Sequence, residues 1–117
     1  MTNPLTFIIT DLIYFLFSSI TLDKGKGVHS CKAELGYVAR KYWGNGLVTQ
    51  AIKLAIETGF RDLDVERIEA YVDPANIGSQ RILEKSKFIQ EGLLRSYVIQ
   101  KGVLKERLIY SFIKPSF

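Results

Sequence analysis

The chain contains few of the residue types that build metal centres and disulfide frameworks. Its 117 residues include one cysteine, Cys31, and one histidine, His29. A single cysteine excludes an internal disulfide framework and a zinc site made of several cysteines, and a single histidine excludes a histidine-rich metal cluster. Three prolines and nine glycines also exclude collagen-like and low-complexity chains. We therefore expect no metal cofactor.

The rest of the composition is typical of one small globular domain, which we predict over residues 1–117. Hydrophobic residues make up 47% and charged residues 24% of the sequence, and this apolar content excludes wholesale disorder. A chain of this length can form a hydrophobic core but not a large enzyme. The net charge of +4 suits an anionic small ligand such as a nucleotide. It is too small to predict binding to nucleic acid.

Charge is scarce at the N-terminus, where residues 1–22 contain the single charged side chain of Asp11. The apolar run Leu5–Leu22 just reaches the length of a membrane span. Its β-branched and aromatic residues favour a strand or a strand pair. A helix and a membrane or targeting segment remain as alternatives, although the run lacks the basic start and the cleavage site of a secretory signal. We expect no membrane association and a cytoplasmic protein.

Two apolar runs, 13–22 and 32–39, flank the polar segment 23–30 and predict an antiparallel hairpin. We interpret His29 as a solvated turn residue. Cys31 has no basic neighbour and no helix start that would activate its thiol. We therefore interpret it as a small, buried apolar residue.

Helices and strands alternate through the rest of the chain. The first helix is predicted from apolar residues at helical spacing, with a glycine at its end: Leu47, Ala51, Leu54, Ala55 and Gly59. The elements predicted after it are a strand over 67–72, a helix over 77–85 capped by Asn76, and strands over 88–100 and 104–113 joined at Gly102. The order from residue 13 is thus β, β, α, β, α, β, β, which is a mixed α+β domain.

The break between the second strand and the first helix is the most informative stretch. Gly44 and Gly46 remove Cβ atoms where the backbone must turn, and they allow close approach to a ligand. The N–H groups and the dipole at the start of a helix favour an anion, and Arg40 and Lys41 add positive charge. There is no Walker A string, and Thr49 stands where a dinucleotide fingerprint has its third glycine. Taken alone, the loop is as compatible with a tight turn as with a phosphate site.

Three separated blocks of the sequence closely resemble the GNAT superfamily of N-acetyltransferases. They read ELGYVARKYWGNGLVTQA, RIEAYVDPANIGSQRILEKSKF and EGLLRSYVIQKGVLKERLIYSF. Within the superfamily they look most like the ribosomal-protein alanine N-acetyltransferases (RimJ/RimL-like), because the middle block contains the NxxS…LEK string of that branch. The resemblance implies a twisted, mainly antiparallel sheet with flanking helices.

The same resemblance implies acetyl-CoA as the acetyl donor and an amine as the acceptor, with a protein N-terminus as the favoured substrate class. The pyrophosphate would bind at residues 41–46, where lysine replaces the usual glutamine or arginine. The pantetheine arm would lie in an opening between strands 33–39 and 67–72. The residues expected to bind the cofactor are Tyr37, Val38, Ala39, Lys41, Trp43, Gly44, Asn45, Gly46, Leu47, Asn76 and Ser79.

Transfer of an acyl group from a thioester to an amine needs a neutral amine, an oxyanion site and a proton for the leaving thiolate. Many members of the superfamily have a tyrosine acid where this sequence has Leu83. We therefore assign Ser79 as the candidate donor of a proton or a hydrogen bond to the thiolate, and Glu34 as the candidate base that accepts the amine proton directly or through water. Two alternatives stay open. Asn76 and Ser79 would be helix-start residues only, and Glu34 would be a paired structural carboxylate.

The resemblance has two departures, one at the N-terminus and one at the end of the second predicted helix. A full member begins with a strand and one or two helices that form a wall of the acceptor site, whereas only a short segment precedes the hairpin here. The competing hypothesis is therefore a non-catalytic module that binds CoA or a partner, and a homodimer is left open. Lys87 stands before Phe88 in place of the helix-ending glycine of the family. This predicts a left-handed backbone conformation at a non-glycine residue.

Overall fold

The computed structural model describes residues 6–8, 17–39 and 45–116, which form six strands and two α-helices. The strands are β1 (Thr6–Ile8), β2 (Phe17–Lys24), β3 (Lys32–Ala39), β4 (Arg67–Val72), β5 (Ile89–Gln100) and β6 (Val103–Ile113). The helices are α1 (Asn45–Asp62) and α2 (Ile77–Lys85), and a short 3-10 turn covers Gly27–His29. The sequence placed the starts of β5 and β6 within one residue of these bounds.

The strands form one sheet in the order β1-β2-β3-β4-β6-β5. Neighbouring strands are antiparallel, except that β3 and β4 are parallel because α1 connects them. This arrangement confirms the predicted mixed α+β fold with a mainly antiparallel sheet. The predicted order of elements from residue 13 is also confirmed, and β1 is an additional strand at one edge.

The apolar N-terminal run forms a strand pair where the structure describes it. β2 pairs antiparallel with β3, with Leu22 opposite Leu35, and β1 pairs with β2 on the other side, with Phe7 opposite Leu22. The predicted hairpin is therefore confirmed over 17–22, while residues 9–16 lie outside the described part of the chain. Within that described part, no helix is long and apolar enough to cross a membrane.

Both helices and one face of the sheet contribute to a single hydrophobic core. The buried apolar side chains that the structure describes in α1 repeat at three- and four-residue spacing, and they are Val48, Ala51, Ile52, Ala55 and Ile56. The sheet and α2 contribute the remaining larger ones, among them Leu22, Leu35, Ile68, Val72, Leu83 and Tyr110. The prediction that Leu54 belongs to the apolar face was wrong, because its side chain is 37% exposed and lies outside this stripe.

The prediction that Gly59 ends α1 was wrong, because the helix continues to Asp62. A Cβ atom at Gly59 would lie 2.6 Å from Cδ1 of Leu22. The absence of a side chain therefore allows α1 to pack closely against β2. The glycine is a packing residue in the helix interior and not a stop signal.

The turn before β3 corrects a second prediction. His29 is exposed, as expected, but Cys31 is exposed as well and not buried. The physical reason is that the backbone of Cys31, and not its side chain, faces the start of β4. Its carbonyl oxygen accepts hydrogen bonds from the N–H groups of Glu66 (2.7 Å) and Arg67 (3.2 Å). These bonds tie the start of β3 to the start of β4 and leave the thiol on the outside.

The two predicted C-terminal turns are confirmed. Lys101 (φ 50°) and Gly102 (φ 77°) connect β5 to β6, and two positive φ angles are typical of a tight two-residue hairpin. Lys87 has φ 71° at the end of α2, as predicted from its position in place of the helix-ending glycine of the family. The N–H of Phe88 donates to the carbonyl of Leu83 at 3.0 Å, which is the bond that defines a Schellman end of a helix.

Candidate functional site

A cavity opens where β3 and β4 separate. The register of the two strands comprises three residue pairs and ends at Glu34 and Glu69. Beyond that pair a cavity of about 240 Å³ lies between the strands. The structure therefore contains the opening that was predicted between 33–39 and 67–72. Its lining residues are Glu34, Leu35, Gly36, Ala70, Tyr71, Val72, Asp73, Asn76 and Ser79.

Three residues that the sequence analysis assigned as candidate site residues line this cavity together. Glu34 comes from β3, whereas Asn76 and Ser79 come from the start of α2, and all three line the same space. The side chain of Asn76 caps α2, because its Oδ1 accepts a hydrogen bond of 3.0 Å from the backbone N–H of Ser79. The capping role is thus confirmed, and it fixes the first turn of α2 at the cavity wall.

The connection from β4 to α2 is held by side-chain hydrogen bonds. Oδ1 of Asp73 accepts from the N–H of Ala75 at 2.9 Å, and Nε2 of Gln80 donates to the carbonyl of Pro74 at 2.8 Å. Such bonds from a short polar side chain to the backbone stabilise tight turns. As a result, α2 begins directly after the end of β4, at the wide end of the opening.

The predicted cofactor loop lies partly outside the described residues. Lys41, Trp43 and Gly44 belong to that undescribed segment, so their roles stay predictions. On one side of it, the backbone of Tyr37, Val38 and Ala39 continues β3, and on the other Asn45, Gly46 and Leu47 form the first turn of α1. The described residues on either side of the segment are therefore a strand and a helix, the two elements that flank an anion site of this type.

Glu34 has an acidic residue beside it on both neighbouring strands. Asp23 of β2 and Glu69 of β4 are its partners in the two registers. Glu34 is an exposed residue as a whole, but partial burial of its carboxyl group raises its pKa, and the charges of Asp23 and Glu69 raise it further, against the opposing effect of Lys32. A carboxylate with a raised pKa in a cavity is suited to accept a proton.

Glu69 is the residue at this site that the sequence analysis missed. It is buried, and its carboxylate is within 3.2 Å of Nζ of Lys32, within 2.8 Å of Nε of Arg67 and within 3.0 Å of the hydroxyl of Tyr71. Burial alone would raise the pKa of Glu69, but hydrogen bonds from Arg67, Tyr71 and Lys32 lower it below its usual value. Glu69 is therefore a charged, fully paired carboxylate beneath the cavity.

Arg67 extends this network towards β5. Its two terminal nitrogens donate to the two carboxylate oxygens of Glu91 at 3.0 and 2.9 Å, and Ser111 also donates to Glu91. A bidentate pair of this kind fixes the guanidinium in orientation as well as in charge. The ion pairs and hydrogen bonds therefore connect β3, β4, β5 and β6 across the face of the sheet opposite the core.

Comparison with known proteins supports an assignment at the level of the family. Residues 14–89 match the family model of the acetyltransferase (GNAT) domain, and the chain belongs to this family. It is 39% identical over 87 residues to the uncharacterized N-acetyltransferase p20 of Bacillus licheniformis, covering 74% of this chain and 49% of that protein. It is 29% identical over 90 residues to the ribosomal protein uS5-alanine N-acetyltransferase of Escherichia coli, covering 76% of this chain and 45% of that enzyme.

A solved structure with the same fold is RimJ of Mycobacterium smegmatis in complex with CoA-disulfide. It superimposes with a TM-score of 0.72 at 29% identity, over 84% of this chain and 47% of that one. The chain thus spans about half the length of the curated relatives it matches. The expected resemblance to GNAT proteins of the RimJ type is confirmed at the level of family and fold.

Proposed function

We propose that the chain is an acetyl-CoA-dependent N-acetyltransferase that acts on a primary amine, with a protein N-terminal amine as the favoured acceptor. The observation that carries this proposal is the cavity between the diverging β3 and β4, which collects Glu34, Asn76 and Ser79 in a GNAT fold. The related RimJ of Mycobacterium smegmatis binds a CoA disulfide, which supports CoA as the donor scaffold.

The opening suits an extended ligand that carries amide groups. Because the register of β3 with β4 ends at Glu34, the edge of residues 35–39 that lies away from β2 is not paired with β4. Backbone N–H and C=O groups need partners, and an extended amide chain can supply them as an added strand does. The pantetheine arm of CoA is such a chain, and residues 41–46 would hold its pyrophosphate at the start of α1.

In the proposed reaction, Glu34 of β3 and Ser79 of α2 each carry out one proton transfer at the cavity. The amine nitrogen attacks the thioester carbonyl, and Glu34 accepts the proton that the nitrogen loses. The carbon–sulfur bond then breaks, and the hydroxyl of Ser79 donates its proton to the departing thiolate and regains one from solvent, to which Glu34 releases the proton that it accepted. The products are an amide and free CoA. A raised pKa at Glu34 keeps this carboxylate a stronger base than an ordinary glutamate.

The decisive experiment measures the release of CoA thiol from acetyl-CoA with a panel of amines and peptides. We expect release with at least one class of primary amine. Glu34→Gln should lower the rate about 100-fold or more, within the range for a lost general base. Glu66→Gln removes an exposed carboxylate outside the cavity and should leave the rate unchanged.

Calorimetric titration with CoA separates the remaining outcomes. Gly46→Asp places bulk and negative charge in the first turn of α1 and should abolish binding of CoA. Binding of CoA without thiol release for any acceptor would contradict the enzyme proposal and leave a CoA-binding module. Absence of CoA binding by the folded wild type would contradict both.

A further inference from the structure

β5 is irregular in its middle. Leu94 pairs with Arg107 and Val98 pairs with Lys105, so the three residues 95–97 face a single residue of β6. Within this bulge Ser96 has φ 49°, a left-handed conformation that is unfavourable for a residue other than glycine. Bulges of this kind redirect a side chain and are frequent next to active sites.

The side chain that the bulge redirects is Tyr97. Its ring stacks on the ring of Tyr71, with centroids 5.2 Å apart and planes inclined by 20°. Tyr71 belongs to β4, and β6 lies between β4 and β5 in the sheet. Strands that are two positions apart are separated by about 10 Å. The two rings can therefore stack only if both side chains extend across β6.

The stacked pair continues the wall of the cavity. Tyr71 lines the cavity directly, and its hydroxyl donates to Glu69 at 3.0 Å, which fixes the ring. The side chain of Tyr97 lies outside Tyr71 and is 46% exposed. The result is a rigid aromatic surface that leads from solvent to the space beside Glu34.

The chemistry of this surface selects one kind of ligand. Aromatic faces attract cations and pack well against peptide planes and methylene groups. The carboxylates of Glu34 and Asp23 lie in register on the same face of the sheet and attract an ammonium group. The nearby Asp73 is partly neutralised by Arg107, whose Nη1 lies 4.0 Å from Oδ2 of Asp73. A cationic amine at the end of an extended chain therefore matches the surface, whereas an anionic acceptor does not.

We propose that Tyr71 and Tyr97 form the acceptor-binding surface of the site. A peptide acceptor lies with its reacting amino group at Glu34, and the residues that follow the amino group contact the two rings. This inference rests on the proposed function, since it assigns the place of the acceptor in the same site. The irregular β5, with its unfavourable Ser96, is then explained by the need to place Tyr97 against Tyr71. A purely structural pair would stabilise the sheet and have no influence on the acceptor.

The test compares two acceptors of different length, which are glycinamide and a hexapeptide that begins with glycine. Tyr97→Ala should raise KM for the hexapeptide about tenfold, the loss of one aromatic contact, and leave kcat/KM for glycinamide and the affinity for CoA unchanged. Tyr97→Phe keeps the ring and should behave as the wild type. Ile99→Ala is the matched control, because this side chain is 70% exposed on the same strand and does not line the cavity.

A second measurement is independent of turnover. Calorimetric titration of the hexapeptide in the presence of CoA should detect binding to the wild type and to Tyr97→Phe, and a loss of binding in Tyr97→Ala. Binding that depends on Tyr97, without acetylation, would overturn the proposed function and leave Tyr71 and Tyr97 as a peptide-binding surface without an acceptor role. Equal effects of Tyr97→Ala on both acceptors, or hexapeptide binding that does not depend on Tyr97, would overturn the inference and leave the proposed function standing. A wild type without turnover and without hexapeptide binding would overturn both.

Discussion

Glu34 and Glu69 lie opposite each other at the last position where β3 pairs with β4. Two like charges at directly opposed positions of a sheet destabilise it, yet their surroundings differ. Glu69 is buried and receives hydrogen bonds or an ion pair from Lys32, Arg67 and Tyr71, which lower its pKa against the effect of burial. Burial and the charges of Asp23 and Glu69 instead raise the pKa of Glu34. The raised pKa thus belongs to the carboxylate that lines the cavity, and the lowered pKa to its buried and paired neighbour.

Glu34→Gln should stabilise the protein at neutral pH while it lowers activity. The folded-state pKa of Glu34 is above its usual value, so ionised Glu34 destabilises the fold. The stability that the neutral carboxyl provides is present at acidic pH and is lost as the pH rises through the folded pKa. Relief of the like-charge contact should therefore raise Tm by about 1–4 °C at pH 7.

Thermal unfolding of Glu34→Gln and wild type over a series of pH values checks this sign. The difference in Tm should vanish when the pH is low enough to protonate Glu34 in both the folded and the unfolded chain. A variant that is less stable than the wild type at neutral pH would show that Glu34 is a paired structural carboxylate, which is the alternative that the sequence left open.

Arg67→Gln should destabilise the protein by about 2–4 kcal/mol, because it removes the nearest cation from the buried carboxylate of Glu69. The double variant Arg67→Gln/Glu69→Gln should recover a large part of that loss, since no buried charge is then left without its partner. Arg61→Gln is the control. Arg61 forms an exposed ion pair of 3.1 Å with Asp62, and exposed pairs contribute about 0–1 kcal/mol.

Urea unfolding of the wild type, Arg67→Gln, Glu69→Gln and the double variant at pH 7 gives the coupling free energy between the two residues. Additive losses in the double variant would contradict a direct ion pair. The lowered pKa of Glu69 also predicts the pH dependence of the wild type. The stability that this carboxylate provides is present above its unfolded-state pKa and is lost as the pH falls through the folded-state value.

Asn76→Ala and Ser79→Ala should separate structure from catalysis at the start of α2. Asn76 caps the helix through the N–H of Ser79, so its loss should cost about 1 kcal/mol of stability. Ser79→Ala retains the capped N–H and removes the hydroxyl at the cavity. We expect turnover to fall about ten- to a thousandfold, as for other lost proton or hydrogen-bond donors, with CoA affinity less affected. Lower stability of Ser79→Ala with unchanged turnover would give the hydroxyl a structural role only.

Local signals account for what the sequence predicted correctly. The alternation in β4 and the cap at Asn76 depend on residues that are neighbours along the chain, whereas the positive φ at Lys87 was predicted by comparison with the helix-ending glycine of the family. The family resemblance added the opening between β3 and β4, which no local pattern predicts. Glu34, Asn76 and Ser79, the three candidate site residues, line this opening together.

Long-range contacts explain what the sequence could not predict. Glu69 receives its partners from β3 and from its own strand, and its burial depends on the register between strands. Gly59 resembles a helix stop until Leu22 of β2 is known to pack against it. Tyr97 reaches Tyr71 only through the bulge in β5, and a bulge shifts the pattern of alternating side chains that a strand prediction assumes.

Lys87→Gly should stabilise the protein, because Lys87 has φ 71° at the Schellman end of α2. A left-handed conformation costs a non-glycine residue about 1 kcal/mol relative to glycine. The greater entropy of glycine in the unfolded chain offsets part of this gain, so we expect a net increase of about 0.5 kcal/mol. Lys85→Gly is the matched control, because Lys85 is the last residue of α2, where glycine costs up to about 1 kcal/mol. Opposite changes in Tm for the two variants support the assignment, and a destabilised Lys87→Gly would mean that the side chain of Lys87 contributes more than its backbone strain costs.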